Sequence, residues 1–224
     1  MKSIAIDGPA GAGKSTIAKK VAEELGFIYV DTGAMYRAMA LYFIRKGIAG
    51  GDEQRVSQAC GGIEVSITYE AGEQQVLLNG ENVNDFIRTE EVSMMTSDTS
   101  KYPKVREKLL DLQRDLARTS NVIMDGRDIG TCVLPDADLK VYLTASSAER
   151  ARRRYKEQTE RGISCDMEQI ERDIIARDNQ DMNRETAPLK RAEDAVLLDA
   201  SDMTIEEVVE EMLTLAGTRG IEKP

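Results

Sequence analysis

The segment Gly8-Pro9-Ala10-Gly11-Ala12-Gly13-Lys14-Ser15-Thr16 limits what this chain can fold into more than any other feature. It has the spacing G-x-x-x-x-G-K-[ST] and lies between a short apolar run, Ser3 to Asp7, and a stretch whose Ile17, Val21 and Leu25 recur every four residues. A strand that enters a glycine-rich loop and leaves by a helix turns successive backbone N–H groups and a helix N-terminus toward an anion. Lys14 adds a full charge for terminal phosphates, and the Ser15 hydroxyl can ligate Mg²⁺. The segment is therefore expected to hold a nucleoside triphosphate.

The rest of the chain alternates in the way such a loop requires. Phe27 to Asp31, Asn121 to Gly126, Leu139 to Ala145 and Ala195 to Ala200 read as buried strands, separated by stretches with helical spacing. One of these, Thr32 to Gly47, carries Met35, Met39, Tyr42 and Phe43 on one face; another opens at Pro103 and carries Val105, Leu109, Leu112 and Leu116. Ser146 with Glu149, and Thr204 with Glu207, have the spacing of capping boxes. Between Gly62 and Asn84 the period shortens to two, with turn signals at Glu70-Ala-Gly-Glu73 and Asn79-Gly80, which predicts a small antiparallel insert. The expected fold is α/β, a mainly parallel P-loop sheet flanked by helices, with that insert and a helical lid.

Composition removes several chemistries. There is no histidine, so an imidazole base or histidine metal ligand is excluded. A net charge of −10 disfavours a nucleic acid polymer or a membrane surface as partner. Cys60, Cys132 and Cys165 are too scattered for a disulfide framework or a CxxC zinc site. No apolar run is long enough for a membrane span and the N-terminus lacks a secretory pattern, so a cytoplasmic location is expected. Nothing demands more than a monomer.

Neither a DxxG switch with an NKxD or TKxD segment nor an acidic pair after an apolar strand occurs, which leaves a small kinase as the best reading. A phosphate acceptor, with a second pKa near 6, needs charge neutralisation and alignment rather than a base. Arginine suits that task. Candidates are Arg37, Arg127 in Asp125-Gly-Arg-Asp128, and Arg177, Asp181 and Arg184, placed at i, i+4 and i+7 on one expected helical face. For each arginine alone a solvated ion pair is the better reading, and Arg177 with Asp181 makes an ordinary i,i+4 pair. Asp125 is expected near the metal, indirectly through water. Six cations between Arg150 and Arg161 form either a charged helix face or a mobile lid, with Arg150, Arg154 and Arg161 as the lid candidates.

The P-loop together with "DTGAMYRAMA", "IRTEEV", Ser97, "YPKVREKL", "DGRDIGTCVLPDADLKVYL" and "RDNQDMNRETAPL" resembles bacterial cytidylate kinases, in order along nearly the whole chain. The resemblance implies transfer of the γ-phosphoryl group of ATP, with Mg²⁺, to CMP or dCMP in pyrimidine metabolism. It implies that Gly8 to Thr16 bind ATP, that Ser15 and Asp125 serve the metal, and that Lys14, Arg37, Arg127 and Arg184 are catalytic. It further implies that Arg37, Arg127 and Arg184 hold the acceptor phosphate, that Ser97, Arg106 and Asp128 read cytosine, that Arg177 and Asp181 contact the sugar, and that Thr32 lies in the substrate site. The expected division is a single kinase domain, 1–224, with a core of about 1–32, 119–150 and 184–224, a monophosphate-binding subdomain with the insert at about 33–118, and a lid at about 151–168. A kinase for a hydroxyl acceptor such as shikimate or dephospho-coenzyme A, and a non-catalytic ATP-binding regulator, remain as alternatives.

Overall fold

A computed structural model describes residues 1–160 and 162–223. The chain runs from β1 (Ser3–Asp7) through the glycine-rich loop into α1 (Lys14–Leu25), then β2 (Ile28–Asp31), α2 (Thr32–Arg45), α3 (Glu53–Ala59) and a 3-10 turn at Cys60–Gly62. Next come β3 (Val65–Glu70), β4 (Glu73–Leu78) and β5 (Glu81–Asn82), followed by α4 (Glu90–Thr99), α5 (Pro103–Thr119) and β6 (Val122–Gly126). A π-helical turn at Ile129–Val133, β7 (Leu139–Thr144), α6 (Ser147–Glu160), α7 (Met167–Asn183), β8 (Val196–Asp199) and α8 (Ile205–Thr218) complete it.

The main sheet has the order β2-β6-β1-β7-β8 and every pairing in it is parallel. Its central strands alternate between two cores. Ile4, Ile6 and Ile123 face α1 and α8, packing on Val21, Leu25 and Met212, whereas Ala5, Val122 and Met124 face α2 and α5, packing on Met35, Met39 and Leu109. Burial on both faces is why these strands read as continuous apolar runs. The small sheet, β3-β4-β5, is antiparallel, and its two tight turns fall where Gly72, Asn79 and Gly80 adopt positive φ. Val76 and Leu78 carry it onto the α2 side of the core.

Three local expectations need correction. α7 ends at Asn183 and Arg184 is extended (φ −66°, ψ 142°), so Arg184 is not on the helix with Arg177 and Asp181. The Ser146–Glu149 box is half-formed: the Ser146 hydroxyl accepts from the Glu149 N–H, but the Glu149 carboxylate is drawn to Arg152 and Arg153, and the Ser146 N–H donates to Ser201 Oγ. The box at Thr204 and Glu207 is complete. Asp181 does not pair with Arg177; its Oδ2 accepts from Arg127 Nε at 3.0 Å instead.

Candidate active site

At the carboxyl edge of the sheet a cleft of about 780 Å³ is lined by the loop after β1, the first turns of α1, α2 and α6, the end of β6, and residues of α4, α5 and α7. The loop geometry is set by backbone constraints. A Cβ on Gly8 would stand 1.9 Å from the Leu143 carbonyl oxygen, so only glycine lets the loop pass β7. Gly13, at φ 90°, opens α1 with no side-chain cap and no acidic residue in its first turn, which leaves the first N–H groups of that helix available to an anion.

Lys14 is buried and its Nζ donates to the Pro9 carbonyl at 2.7 Å. Burial, reinforced by the nearby Arg127 guanidinium, pushes its amine down to about 7. A polyanion in the loop would reverse that cost. Beside it the Ser15 hydroxyl donates to Asp125 Oδ2 at 2.8 Å, and the Tyr29 hydroxyl donates to Asp125 Oδ1 at 2.9 Å. Burial and the neighbouring Asp31 charge raise the Asp125 carboxyl. Thr32 Oγ1 donates to the Asp125 carbonyl at 2.7 Å, which joins the start of α2 to the end of β6.

One hydroxyl and one carboxylate make a sparse oxygen set, and among the described residues no group of three or more acidic or cysteine side chains assembles elsewhere. That set fits Mg²⁺, which keeps waters and takes its remaining ligands from substrate phosphates.

The other wall is a network of arginines and acids. Arg106 pairs with Asp128 Oδ2 and donates to the Ser100 carbonyl at 3.0 Å, while its guanidinium lies 5.4 Å over the Tyr36 ring. Arg184 reaches Asp128 and Asp181, each at 3.6 Å, and its Nε donates to the Ala187 carbonyl at 2.7 Å. Ser97 sits on α4 at the rim. Arg37, Arg154 and Arg177 differ from these: among the described residues none has a carboxylate within ion-pair distance, although all three line the cleft. Arg177 Nε is buried without a hydrogen-bond partner. Burial, with Arg127 nearby, lowers Arg177 to about 10, and burial likewise lowers Arg37.

Arg150 also lines the cleft, but each of its three guanidinium nitrogens is engaged by the protein. It donates to the carbonyls of Ala145 and Ala10, both at 2.9 Å, and pairs with Asp178 at 2.7 Å. Arg161, the third lid candidate, lies outside the described residues.

Some residues in or behind the cleft are given no role from the sequence. Asp7 accepts from the N–H groups of Ile129 and Gly130, both at 2.7 Å, and so holds the π-helical turn against the end of β1. Burial lifts its carboxyl to about 6 against the effect of those two bonds. Asp31 caps α2 through the Ala34 N–H and pairs with Arg88 at 2.7 Å. Tyr36 was findable only as the neighbour of Arg37.

Comparison with known proteins adds an independent line. A family model described as "Cytidylate kinase" matches residues 4–218. A cytidylate kinase from Caldicellulosiruptor saccharolyticus is 51% identical over 95% of this chain and 94% of its own length. One from Geobacillus kaustophilus is 46% identical over 97% of each chain. Among solved structures, an unliganded sugar kinase from Janibacter sp. HTCC2649 superposes with a TM-score of 0.51 at 14% identity, covering 100% of this chain and 99% of that one, a likeness of fold.

Proposed function

The chain belongs to the cytidylate kinase family, and we propose that its two cleft walls divide the family's reaction into a donor side and an acceptor side. The reaction is transfer of the γ-phosphoryl group of ATP to CMP or dCMP, giving ADP and CDP or dCDP. On the donor side the backbone of Gly8 to Thr16 and the N-terminus of α1 hold the phosphates, and Lys14 leaves the Pro9 carbonyl for the terminal ones. Ser15 and Asp125 would hold Mg²⁺, which when bound would supply charge neutralisation to the phosphates.

On the acceptor side Arg37, Arg127 and Arg184 hold the acceptor phosphate, and Arg177 and Asp181 take the sugar. Thr32 fixes the floor between them through its bond to β6. Ser97, Arg106 and Asp128 read the base; uracil in that place would set a carbonyl where the site expects an amino donor and leave polar groups unpaired. The acceptor phosphate is already mostly dianionic at neutral pH, so no base is required, in keeping with a chain that has no histidine.

The single observation that carries this assignment is the set of cleft arginines without carboxylate partners, Arg37 and Arg177 foremost. Desolvated cations are ordinarily paired, and the phosphate of an acceptor bound in the cleft would supply that counter-charge.

We further read residues 33–118 as the part that closes on the acceptor and 151–168, with Arg150, Arg154 and Arg161 at its base and along it, as the part that closes on the donor. No helix of the described residues is long and apolar enough to cross a membrane, and we place the enzyme in the cytoplasm, as a monomer serving pyrimidine nucleotide supply. The test is ADP release from MgATP with CMP, dCMP, UMP, AMP, GMP and shikimate as separate acceptors. CMP and dCMP should lead. A lead by any other acceptor would overturn the roles given to Ser97, Arg106 and Asp128.

A further inference from the structure

Ser97 and Gln180 exchange two hydrogen bonds between α4 and α7. Gln180 Nε2 donates to the Ser97 carbonyl at 3.1 Å, and the Ser97 hydroxyl donates to Gln180 Oε1 at 3.2 Å. The orientation of this pair is fixed by chemistry. A backbone carbonyl can only accept, so the amide nitrogen must face it; the amide oxygen must then face the hydroxyl, and the hydroxyl must donate. Its proton is thereby committed away from the cleft, and Ser97 Oγ meets a ligand with lone pairs only. Gln180 itself stands outside the cleft lining and is exposed to solvent.

We propose that Gln180 is a specificity-determining positioning residue: by taking the Ser97 proton it makes Ser97 an obligate acceptor, matched to the 4-amino donor of cytosine and mismatched to the 4-carbonyl of uracil. This rests on the reading of Ser97 as a contact of the base. A free serine hydroxyl would not discriminate, because it turns to donate or accept as the ligand requires. Asp128, which shares in reading the base and is paired with Arg106, is untouched by a change at Gln180, so only the part of the preference that Ser97 supplies depends on this strap.

The experiment compares kcat/KM for CMP and UMP in the wild type, Gln180→Met, Ser97→Ala and the double variant. Gln180→Met keeps the length of the side chain and removes both bonds. It should raise the UMP to CMP ratio by roughly three- to tenfold, mainly through better use of UMP, since the freed hydroxyl can donate to the uracil carbonyl. In the Ser97→Ala background the same change should leave the ratio nearly unmoved. Equal losses with both acceptors, as a purely structural strap between α4 and α7 would give, overturn the proposal, and so does an undiminished ratio change without Ser97. If Ser97→Ala shifts the ratio but Gln180→Met does not, this inference alone falls. If Ser97→Ala leaves the ratio unchanged, the base-reading role of Ser97 falls and takes the inference with it.

Discussion

Asp7 shows how one buried side chain can organise the cleft while standing outside the contacts with substrate. Its carboxylate oxygens accept from Ile129 and Gly130, and burial raises its pKa from 3.8 to about 6. Ionisation is therefore harder in the folded than in the unfolded chain. The resulting penalty is fully present above pH 6, shrinks as the pH falls toward 4, and vanishes below that. Asp7→Asn cannot ionise, so its stability relative to the wild type should improve by about 2 kcal/mol between pH 4.5 and pH 7, on top of any constant loss from facing an amide N–H group toward Gly130. Urea unfolding at the two pH values measures this. A stability difference that stays constant would mean that the carboxyl titrates normally and that burial has been offset by the two backbone bonds.

At the scale of elements, Arg150 ties the first turn of α6 to both the glycine-rich loop and α7. Arg150→Ala would leave the Asp178 carboxylate buried without its cation, a loss of about 3–5 kcal/mol for a buried pair broken on one side. Replacing both, as Arg150→Met with Asp178→Leu, should recover most of the stability. It should not recover ATP binding, because the Ala10 carbonyl in the loop would still lack its donor. Chemical unfolding and the KM for ATP separate the two effects, and restored ATP binding in the double variant would show that the contact with Ala10 is dispensable. This residue also marks where sequence reading stops. The strands, the hairpin turns at Gly72 and Asn79-Gly80, and the cap at Thr204 are written in neighbouring residues, so period and turn chemistry suffice to find them. A basic run reads as one solvated face, and nothing local distinguishes Arg150, held in a pocket, from Arg152, which pairs with Glu149 at the surface. The π-helical turn likewise depends on Asp7, far away in sequence. The end of α7 at Asn183 goes unread: spacing alone carries Arg184 along the helix, whereas it is extended and turns toward Asp128, ahead of a left-handed Ala187.

Across the whole molecule, cations are concentrated in the cleft, where they outnumber the carboxylates that line it with them. The chain carries a net charge of −10, yet Lys14, Arg37, Arg127, Arg154, Arg177 and Arg184 converge on one cleft. Burial foremost, and mutual repulsion after it, lower the pKa values of Lys14, Arg37 and Arg177, so the unliganded fold holds these cations at a cost that an anion would reduce. Inorganic sulfate should therefore stabilise the protein at millimolar concentrations where general salt effects are small. At about ten times its Kd, linkage gives roughly 1.4 kcal/mol, or about 3–5 °C in Tm for a chain of this size. Sodium chloride at equal ionic strength should do much less, because chloride cannot accept from several guanidinium groups at once. Arg177→Met removes a cation whose Nε has no partner. That variant should be at least as stable as the wild type without sulfate and should gain less from it. CMP should then displace the effect, since its phosphate claims the same arginines. A sulfate response that is undiminished in Arg177→Met and insensitive to CMP would place the anion elsewhere, and Arg37 and Arg177 would need another explanation for having no carboxylate partner among the described residues.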